Sequence, residues 1–488
     1  MERNLAGRTS RGALSLMGAQ AVFVISSYAL HMVLARLLGP AGYGTYGVVF
    51  NLLSILFVVV SAGLPQAVAR YVGADHGQAE QIRRSALGLQ TLGSLALAGT
   101  LVLASGPIAW LLADPSLLPY LQLSALAIPP YALYSLWAGY LGGLRLFGRQ
   151  ATIVALYGML KVLAVCLPAV VWGVAGALAG LAVAPLGAII AALGLTPSVA
   201  SEGQGGVTAR ALLRFAAPFA VFAVAAEALT LLDLFLAKAF VGDAVAIGYY
   251  TAASTIARVP YFLFIGLASA VLPAVAHSEA RGEREATVRL ARQALRIVVL
   301  TAVPAVGFAA LAAGPAIDLL YSSAYAPAAR QLPLLTAGMS LAALFRVCAS
   351  LEAGAGRERR GMAVGLIALA AGLAGGVPLT ATWGLTGAAL SSLLMGVVAS
   401  GLALVLLARS QPQAVPWLTG ARSVLAVLPA LALAKLLPVS TAGLALDLLG
   451  GGAVYLLALL ALREVGREDL RLARSLLPGG KASRLRLE

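Results

Sequence analysis

A small set of polar and ionisable residues interrupts the apolar stretches of this chain, and their chemistry is that of binding rather than of bond making. Gln20, Ser27 and His31 are spaced by 7 and 11 from the first of them. That spacing places all three on one face of a helix. Lys161 stands in the middle of the fifth apolar stretch, and none of the apolar stretches of the N-terminal half contains a carboxylate. Glu227 and Asp233 follow in the seventh, where the periodicity puts Glu227 on a face with Lys238. Thr251, Ser254 and Arg258 share a face of the eighth, with Pro260 just beyond, so a bent backbone is expected there. An ionisable side chain in hydrocarbon is expensive and marks a pathway or a binding site. His31, Lys161, Arg258, Gln20, Ser27 and Ser254 are therefore candidates for a substrate-binding cavity that takes an anionic cargo. Glu227 and Asp233 are candidates for coupling to Na+ or H+, or for pairing with Arg258 inside the bundle. Arg36, Arg346 and Lys435 lie nearer span ends, where long cations reach the interface, and are assigned structural roles.

Other chemistry is missing from the sequence. Cys166 and Cys348 fall inside apolar stretches and read as small buried residues, without metal-ligand spacing. There is no phosphate-binding glycine loop and no nucleophile elbow. The expectation is a transporter and not an enzyme, with no metal and no cofactor beyond a coupling ion. Acting alone, it would not be driven by ATP.

The elements that must position these residues are membrane helices. The 488 residues are 60% hydrophobic and 11% charged with a mean hydropathy of +0.92, against about 25% charged in soluble chains. Apolar runs long enough to cross a bilayer give about fourteen spans. The first six lie near 12–36, 42–69, 84–112, 117–143, 150–172 and 175–195, and the next six near 211–240, 245–275, 289–313, 328–351, 361–380 and 384–408. Two more follow near 421–438 and 441–462. The first two sets repeat each other. Gly106-Pro107 with Leu111-Leu112 returns as Gly314-Pro315 with Leu319-Leu320, and Trp172-Gly173 returns as Trp383-Gly384. Leu64-Pro65 is matched to Leu272-Pro273, and Ala35-Arg36 to Ala237-Lys238, which sets Asp233 at the position of His31.

An even number of spans per copy makes the repeat a parallel one. The fold class is all-α integral membrane: two six-helix lobes related by a pseudo-twofold along the membrane normal, plus two extra C-terminal helices. The expected organisation is a lobe over 1–195, a cytoplasmic linker over 196–210, a second lobe over 211–408, two added helices over 409–463 and a basic cytoplasmic tail over 464–488. With both termini inside, roughly 27 of the 34 Lys+Arg fall on the cytoplasmic side and about four (Arg36, Lys238, Arg330, Lys435) outside. The formal net charge of +15 is then topology and calls for no nucleic acid partner. Asp114, Asp243, Asp318 and Asp447 read as isolated outer acids.

Two stretches, Ala35-Arg-Leu-Leu-Gly-Pro-Ala-Gly-Tyr-Gly-Thr-Tyr-Gly47 and Gly63-Leu-Pro-Gln-Ala-Val-Ala-Arg-Tyr71, carry a resemblance. With Phe215-Ala-Ala-Pro218, Asp233 and Gly248-Tyr249-Tyr250, they resemble the oligosaccharide-lipid flippases of the multidrug/oligosaccharidyl-lipid/polysaccharide exporter superfamily. The resemblance implies two lobes around a central cavity, with alternating access. It also implies an isoprenoid-pyrophosphate-linked sugar as cargo, carried from the cytoplasmic to the outer leaflet of the cell membrane. The implied partners are that lipid-linked sugar and membrane lipids, with polysaccharide polymerase and glycosyltransferases alongside, and a monomer suffices. A lipid II flippase and a drug/cation antiporter remain as alternatives, though an antiporter would want carboxylates in both halves. A membrane glycosyltransferase would need a long outer loop, and no external loop exceeds about 15 residues.

Overall fold

The computed structural model describes residues 2–197, 207–436 and 441–466. Most of the expected linker and of the expected tail therefore lies outside the described residues. The described residues form sixteen α-helices: α1 (Glu2–Ala62), α2 (Leu64–Ala74), α3 (Ala79–Leu111), α4 (Leu118–Ala125), α5 (Ile128–Gly143), α6 (Phe147–Leu195), α7 (Ala209–Ala228) and α8 (Leu232–Val241). There follow α9 (Ala244–Ala257), α10 (Val259–Ala280), α11 (Arg284–Leu311), α12 (Ala313–Leu320), α13 (Leu332–Gly354), α14 (Glu358–Ser410), α15 (Trp417–Leu436) and α16 (Thr441–Ala461). Among the described residues there is no strand. Hydrocarbon offers no partner for backbone N–H and C=O groups, so a spanning segment must satisfy them within itself.

Among the described residues, eight helical stretches are long and apolar enough to cross a membrane. Three of them serve for more than one crossing. At 1.5 Å per residue, α1, α6 and α14 with 61, 49 and 53 residues exceed the roughly 30 Å hydrocarbon thickness by far. Each is broken by a glycine with positive φ: Gly39 (φ 63°), Gly173 (φ 56°) and Gly384 (φ 55°). The expected spans on either side of these glycines are thus continuous chain turned at a point.

The internal repeat is reproduced in backbone geometry. Gly173 and Gly384 have ψ of −133° and −132° with nearly equal φ. Three residues on, a Cβ at Gly176 would collide with the Pro168 carbonyl, and one at Gly387 with the Leu379 carbonyl, eight residues back in each case. The match at Leu64-Pro65 needs correction. Gly143 lies against the Ala69 carbonyl and Val72, while Gly354 lies against the Leu272 carbonyl and Val275. That pairs Ala69 with Leu272, five residues from the register the two Leu-Pro pairs suggest. Pro65 starts α2, whereas Pro273 lies inside α10, so the shared dipeptide does different work in the two copies.

By packing, the described residues fall into two compact units. The first holds those of Met1–Thr255, Leu320–Gln331 and Gly365–Met395, and the second those of Ile256–Leu319, Leu332–Val364 and Gly396–Glu488. Within the first, α1 beyond its turn meets α9 at glycines. A Cβ on Gly44 would strike the Ala244 carbonyl, and one on Gly248 the Pro40 carbonyl. The relation is reciprocal, and Gly47 touches Thr251 in the same register. Small residues at a crossing let helix backbones approach where lipid supplies no hydrophobic drive. Gln90 adds a polar tie, its amide donating to the Val60 and Ala132 carbonyls at 2.8 and 3.1 Å.

The second unit is fastened by carboxylates near helix ends. Glu352, buried near the end of α13, accepts from Arg357 at 2.9 Å and Arg360 at 3.3 Å. Glu464 gathers Arg296 of α11 (3.1 Å), Arg422 of α15 (2.9 Å) and the Thr419 hydroxyl (2.7 Å). Burial alone would push the Glu464 carboxyl up, but the bonds from Thr419, Arg422 and Arg296 outweigh it and hold the group below its ordinary range.

Thermal unfolding in detergent tests both the glycine crossing and the Glu464 clamp. Gly248→Val should cost at least about 2 kcal/mol and broaden the transition, because backbone must move to admit the side chain. Gly99→Ala, with no neighbour within 4 Å, should be neutral or stabilising by about 0.5–1 kcal/mol. A Gly248→Val melt equal to the parent's would contradict the crossing. The depressed Glu464 carboxyl should stabilise the fold fully above the ordinary glutamate value and lose that contribution as pH falls through the folded value. Glu464→Gln should lower the melting temperature at pH 7 and flatten its fall on acidification, and an unchanged acid limb would contradict the clamp.

Candidate functional site

The predicted polar residues of the first unit collect at three places, each made by a break in a helix or by a glycine crossing. The turn at Gly39 and Pro40 folds α1 back on itself, so that His31 meets Tyr43 with Nδ1 3.0 Å from the phenol oxygen. The rings of Tyr46 and Phe50 stand edge-on to the imidazole, with centroids 6.3 and 5.3 Å away. Tyr43 in turn lies 6.0 Å from Tyr321 and from Tyr325. Sequence reasoning named His31 but not Tyr43, Tyr46, Tyr321 and Tyr325, which only the folding of separate segments brings into one cluster with it.

Asp233 is fully buried and its Oδ2 accepts from the Tyr250 hydroxyl at 2.8 Å. Tyr250 is the repeat equivalent of Tyr46, on the register that pairs Gly44 with Gly248. His31 beside Tyr46 thus mirrors Asp233 beside Tyr250, in line with the sequence alignment. The helix expected over 211–240 is interrupted. Leu229, Thr230 and Leu231 form a turn between α7 and α8, where the Thr230 hydroxyl donates back to the Glu227 carbonyl at 2.9 Å. Glu227 and Lys238 therefore sit on different helices and do not share a face, contrary to the periodicity argument. Glu227, half-buried, and Asp233 instead flank the break. Irregular backbone inside a membrane bundle is tolerated where it lines a cavity or holds an ion.

Lys161 makes the third place. The side chain is 5% exposed, its ammonium donates to the Ser27 hydroxyl at 2.7 Å, and Ser27 passes a bond to the Phe23 carbonyl at 2.7 Å. The ammonium also lies 4.6 Å above the Phe23 ring and 5.7 Å from that of Tyr157. Among the described residues no carboxylate reaches it. A hydroxyl and two π faces soften the loss of hydration without neutralising the charge. Ser27 and Lys161, suggested separately by the sequence, are one unit. Gln20 is exposed, and the bonds of Ser27 and Lys161 run to each other and to Phe23 rather than to it.

Ser254 is buried on α9, and neither its hydroxyl nor that of Thr251 has a protein partner among the described residues. Arg258 occupies the expected bend, as the one non-helical residue between α9 and α10, and is half-buried in the second unit. In that unit Arg346 bonds the Tyr261 hydroxyl at 3.1 Å. The side chain of Lys435 lies outside those described. Cys166 and Cys348 are buried and unbonded to each other.

Asp114 is not isolated. Its Oδ2 lies 2.6 Å from the ammonium of Lys238, whose side chain is 2% exposed. The repeat could have hinted at this pair, since it places Lys238 opposite Arg36 at the same end of the bundle.

Comparison with known proteins agrees with the membrane reading. No curated protein matches the chain. Among solved structures it is similar to the lipid II flippase MurJ in an inward closed conformation, with TM-score 0.75 and 15% identity over 93% of this chain and 99% of that one. A multidrug resistance MATE family transporter of the MOP superfamily matches in its inward-facing form with TM-score 0.68, 15% identity, and 78% and 94% of the two chains covered. The outward-facing form of a MATE family transporter gives TM-score 0.61 at 15% identity over 83% and 96%. These identities establish the fold: a multi-pass all-α membrane protein of the MurJ and MATE type. The profile of one family, described as polysaccharide biosynthesis protein, matches residues 33–330. Covering more than half of the sequence, that match shows that the chain belongs to the polysaccharide biosynthesis protein family.

Proposed function

We propose that this protein is a flippase that carries an isoprenoid-pyrophosphate-linked oligosaccharide from the cytoplasmic to the outer leaflet by alternating access, for cell-surface polysaccharide. The observation that carries this reading is Lys161, a buried cation held by Ser27 and two aromatic faces with no carboxylate in reach among the described residues. A resident cation without a counter-charge favours an anionic cargo over a cationic drug. Its compact ammonium suits one pyrophosphate oxygen. His31 is proposed as a further contact to the pyrophosphate, with Ser27, Ser254 and Gln20 as hydrogen-bonding groups for the sugar, and Arg258 is proposed as a substrate-binding residue of the second unit. Passing a sugar through hydrocarbon bare would strip each polar group at a cost of about 2–7 kcal/mol, so the headgroup needs a polar path.

Glu227 and Asp233 are proposed to couple transport to Na+ or H+. They flank the α7–α8 break, the kind of interrupted helix whose freed carbonyls can coordinate an ion. Both termini are proposed to lie on the cytoplasmic side of the cell membrane, a reading supported by the excess of Lys and Arg in the loops on that side. Fold similarity to the lipid II flippase keeps a peptidoglycan precursor as the second reading, since it too presents a pyrophosphate.

In proteoliposomes, Lys161→Met should lower flipping of a lipid-linked oligosaccharide by at least about tenfold, the loss of one charge-assisted bond, while Lys161→Arg retains part of the rate. Wild-type flipping by Lys161→Met would reject the anionic-cargo assignment. Asp233→Asn should abolish the response of transport to an imposed Na+ or H+ gradient. If the response persists at full size, Asp233 is not the coupling group.

A further inference from the structure

The residues that end the first helix of each repeat tie that helix to a loop of the other copy. Arg36 and Lys238 are repeat equivalents, each following an alanine, Ala35 or Ala237. The loop after Leu111-Leu112 corresponds to the loop after Leu319-Leu320. Lys238 reaches Asp114 in the first of these loops at 2.6 Å, and Arg36 reaches the Tyr321 carbonyl in the second at 3.1 Å. Tyr325 strengthens the latter tie by donating to the Ala35 carbonyl at 2.7 Å. The two ties are reciprocal, as is the crossing of Gly44 with Gly248, and all their residues belong to the first unit.

They are unequal in chemistry. Ser322 stands where the first loop has Asp114, so only one of the ties is an ion pair. Asp114 is aimed by its own loop: Oδ1 accepts from the amide and hydroxyl of Ser116 at 3.0 and 2.5 Å, which leaves Oδ2 for Lys238. The ammonium also donates to the Gly242 carbonyl at 3.2 Å. A buried ion pair gains in Coulomb energy roughly what it loses in hydration, so it is specific to one arrangement yet adds little net stability. Apolar contacts would hold the same surfaces without that selectivity. When such a pair separates into water, both charges recover their hydration.

We propose that Lys238–Asp114, seconded by Arg36–Tyr321, is a breakable latch that holds the two copies together at this end of the bundle and must open for cargo to leave there. The proposal rests on the transport reading, and on the proposed orientation this end faces outward. Burial alone would raise the Asp114 carboxyl, but its bonds from Lys238 and Ser116 prevail and keep it below the ordinary aspartate range. The carboxylate accordingly stays charged at neutral and mildly acidic pH, so the ion pair persists across that range.

The test measures distance across the latch without any cargo. Spin labels at Leu118→Cys and Phe240→Cys, both exposed in the parent, report on the two tied segments in a Cys166→Ala, Cys348→Ala background. The parent should give one short distance. Asp114→Asn strands the buried Lys238 ammonium in the closed form and should enlarge a longer-distance population by at least about tenfold, equivalent to about 1.4 kcal/mol; adding Lys238→Met, which leaves neither charge stranded, should restore the short distance. Lys238→Arg, which borrows the cation used by the other copy, should keep the short distance. A distance distribution unchanged in Asp114→Asn overturns the latch. Opening without any flipping of lipid-linked sugar would instead count against the cargo assignment and leave the latch standing.

Discussion

Backbone touching backbone at Gly44 and Gly248 is the constraint from which the first unit is built. Lipid tails are as apolar as leucine side chains, so helices in a bilayer are held by close packing and by polar ties, not by exclusion from water. A side chain on either glycine would part the helices where the two copies meet. Because the contact is reciprocal, it places each copy's polar residues in matching positions. His31 beside Tyr46 and Asp233 beside Tyr250 are one example, and the two ties made by Arg36 and Lys238 are another.

Duplication followed by divergence gave the equivalent positions different chemistry. The position held by a histidine in one copy is a carboxylate in the other, and an ion pair in one tie is a carbonyl acceptor in its mate. The uncompensated ammonium of Lys161 belongs to the first copy, while the carboxylates Glu227 and Asp233 belong to the second. Separate charges in separate copies suit the proposed transport of an anionic cargo with a coupling ion, since opposite charges placed together would offset each other.

Much of this was legible in the residues. Hydropathy supplied the spans, glycine and tryptophan pairs supplied the repeat, and the rarity of ionisable groups in apolar stretches supplied the candidates. Pro260 correctly signalled the break beside Arg258. Periodicity failed at Glu227 and Lys238 because it presumes an unbroken helix, and the turn at Leu229–Leu231 contains neither glycine nor proline. The register error at Leu272 arose because two identical dipeptides serve one copy at a helix start and the other within a helix.

By itself the sequence determined that the chain lives in a membrane, that it is built twice, and which side chains are too polar to face lipid. Those follow from transfer free energies and helical spacing, which are local properties. Tertiary structure alone decided who meets whom. Ser27 and Lys161 are 134 residues apart and Asp114 and Lys238 are 124, so their pairing depends on how the helices cross. No periodicity reaches that far, because a buried charge accepts whichever partner the packing brings within hydrogen-bond distance.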